Sequence, residues 1–346
     1  MIETSVLDSL DMRSATFGLP EQVESAVALA THVDGLPSHE DIENVLVLGM
    51  GGSGIAGDLL AAVAEPFMPV PVVVAKGYEC PSFVGDGTLC FAVSVSGDTE
   101  ETVEAATDAA AAGARVVVIA RGGELGRLAS AWGAPWIRLP SDVPMPRAAI
   151  GSISIPPLLV LEAVGLFPGA TDWIGHAAAQ LRRRRDQLLA DDNPARELAR
   201  RLGTTIPLVY GGGAVGAVAA TRWKTQVNEN PKSPAFANVI PELTHNEICG
   251  WGQHGDMTRQ VFSLVLLRHD DEHPQVSRRF DLVREAVEEV VADVHEVRAE
   301  GEGALAQLLD LVLLGDVMSL HLAYQAGIDP GPIPVLEDIK RRLAED

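Results

Sequence analysis

The sequence predicts an α/β protein made of two doubly wound parallel-sheet domains with a helical linker between them and a helix at the C-terminus. Two observations predict it. Short runs rich in Val, Ile and Leu are continuously apolar rather than alternating, as strands covered on both faces must be. They are interleaved with alanine-rich stretches of helical period, and the arrangement restarts in the second half of the chain. The expected spans are 1–167 for the first domain, 168–203 for the linker and 204–346 for the second domain with its C-terminal helices.

The first strand is read at 44–49 (NVLVLG), where an apolar run ends in glycine and is followed by the helical SGIAGDLLAAVAE. Further strands are expected in PVPVVVAKG (69–77), TLCFAVSVSG (88–97), ARVVVIARGG (114–123) and APWIRLP (134–140). The pattern resumes as strand, glycine turn and helix in IPLVYGGGAVGAVAATRWKTQ (206–226), then QVFSLVLLR (260–268), helical FDLVREAVEEVV (280–291) and VHEVRAE (294–300). An apolar helix near 303–326, a GIDPGPIP break and a short amphipathic helix, VLEDIKRRLAED, close the chain.

Composition narrows the function. The 346 residues carry 26 Lys and Arg against 48 Asp and Glu, a net charge of −22, which argues against a nucleic-acid partner. The run Arg182 to Arg185 has helical spacing and acidic neighbours, so it reads as a solvated helix face. Cys80, Cys90 and Cys249 are odd in number and widely spaced, as reduced cytosolic thiols would be. No uninterrupted apolar run reaches the roughly 18 residues that span a bilayer and no leader is evident. A cytoplasmic protein with no membrane partner is expected.

Two loops suit an anion. A literal GxGxxG occurs twice, at Gly49, Gly51 and Gly54 and at Gly211, Gly213 and Gly216, but the strand after the first ends in Val74, Ala75 and Lys76, without the acidic residue that would hold a ribose. A nucleotide-dependent oxidoreductase is therefore disfavoured, while Gly51, Gly52 and Ser53 still let a phosphate approach the backbone at a helix start. The second loop, SVSGDTEET from Ser94, offers the hydroxyls of Ser94, Ser96 and Thr99 at the end of a buried strand where a helix opens. A capped helix would account for Thr99 but not for both serines. The HDDEH string at 269–273 matches a zinc-peptidase pattern only if helical, and Pro274 with the preceding strand argues for a loop, so no metal is expected.

Residues 228–251 (NENPKSPAFANVIPELTHNEICGW) carry Glu229, His245 and prolines at 231, 234 and 241 that forbid a continuous helix. An irregular segment with a carboxylate and an imidazole is where catalytic groups are sought first.

Taken together, GMGGSGIAGDLL, SVSGDTEET, PRAAIG (146–151), RWKTQVNEN with PELTHNEICGW, and DPGPIPVLEDIK resemble, in order, the bifunctional phosphoglucose/phosphomannose isomerase family, a branch of the sugar isomerase (SIS) superfamily. The resemblance implies two SIS domains, a homodimer whose site is shared between subunits, and reversible interconversion of glucose 6-phosphate and mannose 6-phosphate with fructose 6-phosphate without a cofactor. It also implies that Glu229 moves the proton between C2 and C1, that His245 of the neighbouring subunit and Lys340 open the ring, and that Arg147 steadies the enediolate. The chemistry is consistent: a proton shuttle needs a carboxylate, and an anionic intermediate needs a fixed cation. Asp98, Val95 and Gly331 depart from the family pattern. Asp98 adds a negative charge beside the expected phosphate, which motivates a second reading, a non-catalytic sugar-phosphate-binding regulator.

Overall fold

The computed structural model describes residues 7–31, 33–343 and 345. After helices α1 (Met12–Phe17) and α2 (Leu19–Ala30), the first half alternates strand and helix. It runs β1 (Asn44–Leu48), α3 (Gly51–Val63), β2 (Val72–Ala75), β3 (Thr88–Ser94), α4 (Glu100–Ala111), β4 (Arg115–Ala120), α5 (Gly123–Trp132) and β5 (Trp136–Arg138). The strands pair in parallel in the order β2-β1-β3-β4-β5, with β3 buried along its whole length. Burial on both faces is why these runs are continuously apolar.

Three helices cross to the second half: α6 (Ile150–Val164), α7 (Ala170–Leu189) and α8 (Pro194–Leu202). The second sheet is built by β6 (Ile206–Gly212), α9 (Gly213–Glu229), β7 (Phe236–Ile240), α10 (Gly255–Val261), β8 (Phe262–Arg268), α11 (Pro274–Val287) and β9 (Asp293–Arg298). It too is parallel, in the order β7-β6-β8-β9. Two parallel, doubly wound sheets are thus found as expected, with β7 as an added strand inside the proline-rich stretch.

Helix α12 (Gly303–Gln325) runs through the centre, against α7, α8 and α9, and α13 (Pro334–Leu343) ends the chain. Among the described helices α12 alone has the length and apolarity to cross a bilayer, but 94% of its apolar window is buried inside this fold, as in a core helix. It is apolar all round because neighbours surround it. One core cluster includes residues of both halves, from Val45 and Phe91 to Trp223, Val265 and Leu309. Trp223 is fully buried and donates from Nε1 to the Leu311 carbonyl at 2.8 Å, so α9 and α12 are fixed in register.

One expectation is corrected on α7. Arg184 is not on a solvated face: it is buried, and its guanidinium donates to both carboxylate oxygens of Asp310 on α12 at 2.8 and 2.7 Å. A fork-to-fork pair of this kind fixes orientation as well as charge. Arg182 and Arg185 do remain in exposed or partly exposed pairs, with Glu24 and Glu21.

Candidate active site

In the first sheet the strand order reverses between β1 and β3, the place where open α/β sheets receive ligands beyond their C-terminal strand ends. The loops after these strands are Gly49–Met50 and Val95–Thr99, and they are stitched together by the Val95 N–H, which donates to Ser53 Oγ at 3.3 Å. Neither helix that follows is capped by a side chain at its start: α3 has Met50 and α4 has Thr99 at the N-cap, without a side-chain bond to the helix. The Thr99 hydroxyl is instead 2.8 Å from Ser94 Oγ, which accepts from the Gly97 N–H at 3.1 Å. Two helix starts therefore offer unpaired N–H groups at one crevice, a suitable cradle for a dianion. Ser94 is fully buried beneath the loop; Ser96 is exposed and Thr99 half-buried.

The departures at 95, 98 and 331 have local explanations. Val95 is buried in the core. Asp98 Oδ1 accepts the Glu124 N–H at 2.8 Å and so caps the start of α5. Gly331 is buried with Leu10 against it; a β-carbon there would lie 2.8 Å from Leu10 Cγ, so a larger residue would have to displace that side chain.

Arg147 sits in a single turn, Pro146–Ala148, directly against the first loop: a β-carbon on Gly52 would lie 3.0 Å from the Arg147 nitrogen. Glycine at 52 is what lets the loop come so close. The Arg147 side chain is buried and reaches into the second half. Its Nε donates to Asn230 Oδ1 at 3.0 Å, and Nη2 donates to the carbonyls of Pro330 and Gly331 at 2.5 and 2.9 Å. The remaining nitrogen, Nη1, has no hydrogen-bond partner among the described residues and lies 3.5 Å from Glu229 Oε2. Burial pulls the guanidinium below its ordinary pKa while the Glu229 charge opposes that shift. It stays a cation, as arginine does in proteins.

Glu229 is the last residue of α9 and its side chain is partly accessible. A carboxylate at the negative end of a helix dipole is locally unfavourable, and the neighbouring guanidinium offsets it. Two residues on, Pro231 prevents the helix from continuing, and Lys232 folds back with its ammonium on main-chain carbonyls. Burial, then the Arg147 charge, hold Lys232 below the usual lysine range.

The support behind Arg147 was not expected. Arg222 donates from Nη2 to the Arg147 carbonyl at 2.6 Å and is itself paired with Asp316 of α12 at 2.9 and 2.6 Å. Asn230 Nδ2 donates to Ser319 Oγ at 2.8 Å. The signal available in the sequence is the spacing: Arg222, Gln226 and Asn230 recur every fourth residue through the apolar α9 and its end, and Asp316 and Ser319 share a face of α12.

His245 and Lys340 are not brought to this cluster by contacts within the chain. His245 is exposed at the end of the turn Glu242–His245 after β7, without a hydrogen bond or ion pair to a described residue. Lys340 is exposed on α13, which has no buried residue. The HDDEH string is divided by the fold. His269 is buried with Nε2 2.9 Å from the Gly212 carbonyl, Glu272 pairs with Arg268, and His273 Nδ1 accepts the Gln275 N–H at the start of α11.

Comparison with known proteins agrees with this architecture. Residues 40–132 match the SIS domain, and 191–343 match the bacterial phospho-glucose isomerase C-terminal SIS domain. A bifunctional phosphoglucose/phosphomannose isomerase of Caldicellulosiruptor bescii is 35% identical, over 96% of this chain and 99% of that one. The chain belongs to the bifunctional phosphoglucose/phosphomannose isomerase family. It is accordingly an isomerase. A second member of this family, from Aquifex aeolicus, is 32% identical over 87% of this chain and 90% of its own. The fold is shared more widely: the C-terminal domain of glucosamine-fructose-6-phosphate aminotransferase from Francisella tularensis superposes with a TM-score of 0.67 at 16% identity, over 93% of this chain and 97% of that one.

Proposed function

We propose that this isomerase interconverts glucose 6-phosphate and mannose 6-phosphate with fructose 6-phosphate through an enediolate, with Glu229 as the base. The observation that carries the reading is the pairing of Glu229 with an Arg147 nitrogen that has no other partner among the described residues, beside two uncapped helix starts. The phosphate rests on the N–H groups of Gly51, Gly52 and the start of α4, with Ser53, Ser94, Ser96 and Thr99 forming and holding the cradle. Glu229 takes the C2 proton of the open aldose, the electron pair moves into a C1–C2 double bond, and the charge collects on O1 opposite Arg147. The O2 hydroxyl proton passes to O1, and Glu229 returns the carbon-bound proton to C1 as the electron pair on O2 forms the C2 carbonyl, which gives the ketose. Removing the C2 proton erases the stereocentre by which the two aldoses differ, so one enediolate serves both. Fixed charge at the developing oxyanion favours the transition state over the bound sugar.

Ring opening needs a proton donor and acceptor on opposite oxygens, the roles of His245 and Lys340. The first is supplied by the partner subunit of a cytoplasmic homodimer. That reading is supported by the free, exposed His245 and by α13, whose Val335, Leu336, Ile339 and Leu343 form an exposed apolar stripe beside Lys340. The regulator reading is weakened by Asp98, which caps α5.

The test is a coupled assay for fructose 6-phosphate from each aldose phosphate with a chelator present. Glu229→Gln is expected to fold and lose roughly 10²–10⁴ in rate. Mixing it with an inactive His245→Ala protein should restore about a quarter of wild-type activity on subunit exchange, since half the dimers are mixed and each holds one intact site. Wild-type turnover in Glu229→Gln would reject the base, and no recovery despite exchange would reject the shared site.

A further inference from the structure

Lys232 stands three residues beyond Glu229 with its backbone in the left-handed region, at φ 55°, a conformation that a β-carbon disfavours. Strain of this kind persists only where surrounding contacts hold it. Here they are specific: Nζ donates to the carbonyls of Asn230, Asp329 and Pro330 at 3.1, 2.6 and 3.1 Å. An ammonium has three N–H donors, so the main chain takes all of them.

Two of those residues are the ones that anchor Arg147. Asn230 accepts from Arg147 Nε through its side chain, and the Pro330 carbonyl accepts from Arg147 Nη2 while also accepting from Lys232. The end of α9 and the 329–331 turn lie about a hundred residues apart in sequence, and Lys232 is bonded to both. Asp329 completes the turn, its Oδ1 accepting the Gly331 N–H at 3.0 Å. Losing the ammonium removes two ties from the turn that carries two of Arg147's three hydrogen-bond acceptors, leaving it to Arg147 itself and to the Asp329 carboxylate, which accepts the Ser9 N–H at 3.4 Å.

We propose that Lys232 is a positioning residue for the isomerisation, clamping the end of α9 to the 329–331 turn so that the Arg147 guanidinium stays fixed opposite Glu229. The inference rests on the assignment of Glu229 and Arg147 to the proton transfer. Its effect belongs to the chemical step rather than to phosphate binding, because the clamp contacts neither helix start of the cradle. A displacement of an oriented group by about 1 Å can cost on the order of 100-fold in rate.

The experiment is a graded series in the full chain: Lys232→Arg, Lys232→Gln and Lys232→Met, with Lys224→Met as a charge control on α9. The expected losses in kcat for fructose 6-phosphate are about 3-, 10- and 50-fold in that order, scaled from that misplacement cost, with KM within about 3-fold throughout. The deuterium isotope effect with C2-labelled glucose 6-phosphate should grow along the series as proton transfer becomes rate-limiting. A merely structural lysine would lower the active fraction and leave the isotope effect unchanged. Wild-type kcat in Lys232→Met, or a loss carried only by KM, overturns the proposal. Should the Met variant not fold, wild-type kcat in Lys232→Gln overturns it equally. Glu229→Gln measured alongside separates the two ideas: if that variant is inactive while Lys232→Met turns over normally, only the clamp is rejected. If Glu229→Gln is active, the base assignment fails, and the clamp with it.

Discussion

In the first half of the chain the strand order turns back between β1 and β3; in the second it turns back between β6 and β8, by the same connections. The loops at those two points differ in chemistry. At and after the end of β3 come Ser94, Ser96 and Thr99, whereas after β8 come His269, Asp270, Asp271 and Glu272. The first set leaves helix N–H groups open to an anion. In the second, the buried His269 ring packs on the Gly212 carbonyl, and Asp270 accepts from Gln307 Nε2 at 2.9 Å. Carboxylates in place of hydroxyls repel a phosphate from that end. The second half contributes instead through the opposite end of its first helix: α3 offers its N-terminus to the crevice, and α9 offers Glu229 from its C-terminus. In the function proposed above, one βα unit holds the phosphate and the other presents the base, according to which helix end is furnished.

Arg147 joins the two halves, so its removal is the most severe way to break the division of labour. Arg147→Met should lower kcat by about 10²–10³, the range for loss of one preorganised donor to an oxyanion. It also leaves the Asn230 amide oxygen and the Pro330 and Gly331 carbonyls without that donor. Thermal unfolding measured alongside should show a loss of stability, and Arg147→Lys should restore little of the rate, since a point charge cannot reproduce the fork. A Met variant within tenfold of wild-type kcat would mean that the charge of the intermediate is stabilised elsewhere.

The contrast between the loops is sharpened by paired substitutions. Ser96→Ala with Thr99→Ala should raise KM for the sugar phosphate at least about 20-fold, since each bond to a charged group contributes about 1.5–3 kcal/mol. Asp270→Ala with Asp271→Ala should change it less than about twofold. Steady-state kinetics with inorganic phosphate as competitor reads both. Equal effects would place phosphate recognition outside the β1–β3 crevice.

Much of this arrangement was legible in the sequence. Continuous apolar runs ending in glycine marked β1 and β6, and Pro231 marked the end of the helix that carries Glu229. Other parts were hidden for physical reasons. Helix α6 was not read from the sequence: Pro156 and Pro157 lie inside it, and packing of the buried helix overrides their local propensity. Strand β7 is short and half exposed, without an apolar run to announce it. Arg184 looked solvated because its partner Asp310 lies far along the chain in α12, and spacing within one helix cannot reveal a partner on another. The same limit hid Asp316 behind Arg222 and the Pro330 and Gly331 carbonyls behind Arg147.

The smallest expected effect tests Asp98, the acidic residue that sequence alone sets beside the phosphate. Its carboxylate accepts the Glu124 N–H, so Asp98→Ala should cost about 1 kcal/mol of stability by removing the cap from α5. Asp98→Asn keeps an acceptor and should cost only about 0.3–1 kcal/mol through the lost charge at a helix start. In both variants KM for the sugar phosphate should stay within about twofold, because the side chain serves α5 and not the cradle. Chemical denaturation and steady-state kinetics on the same preparations read the two effects separately. A fivefold or larger gain in affinity for phosphate in Asp98→Asn, without a change in stability, would mean that the charge acts on the cradle and that hydroxyls and open helix N–H groups alone do not set its preference.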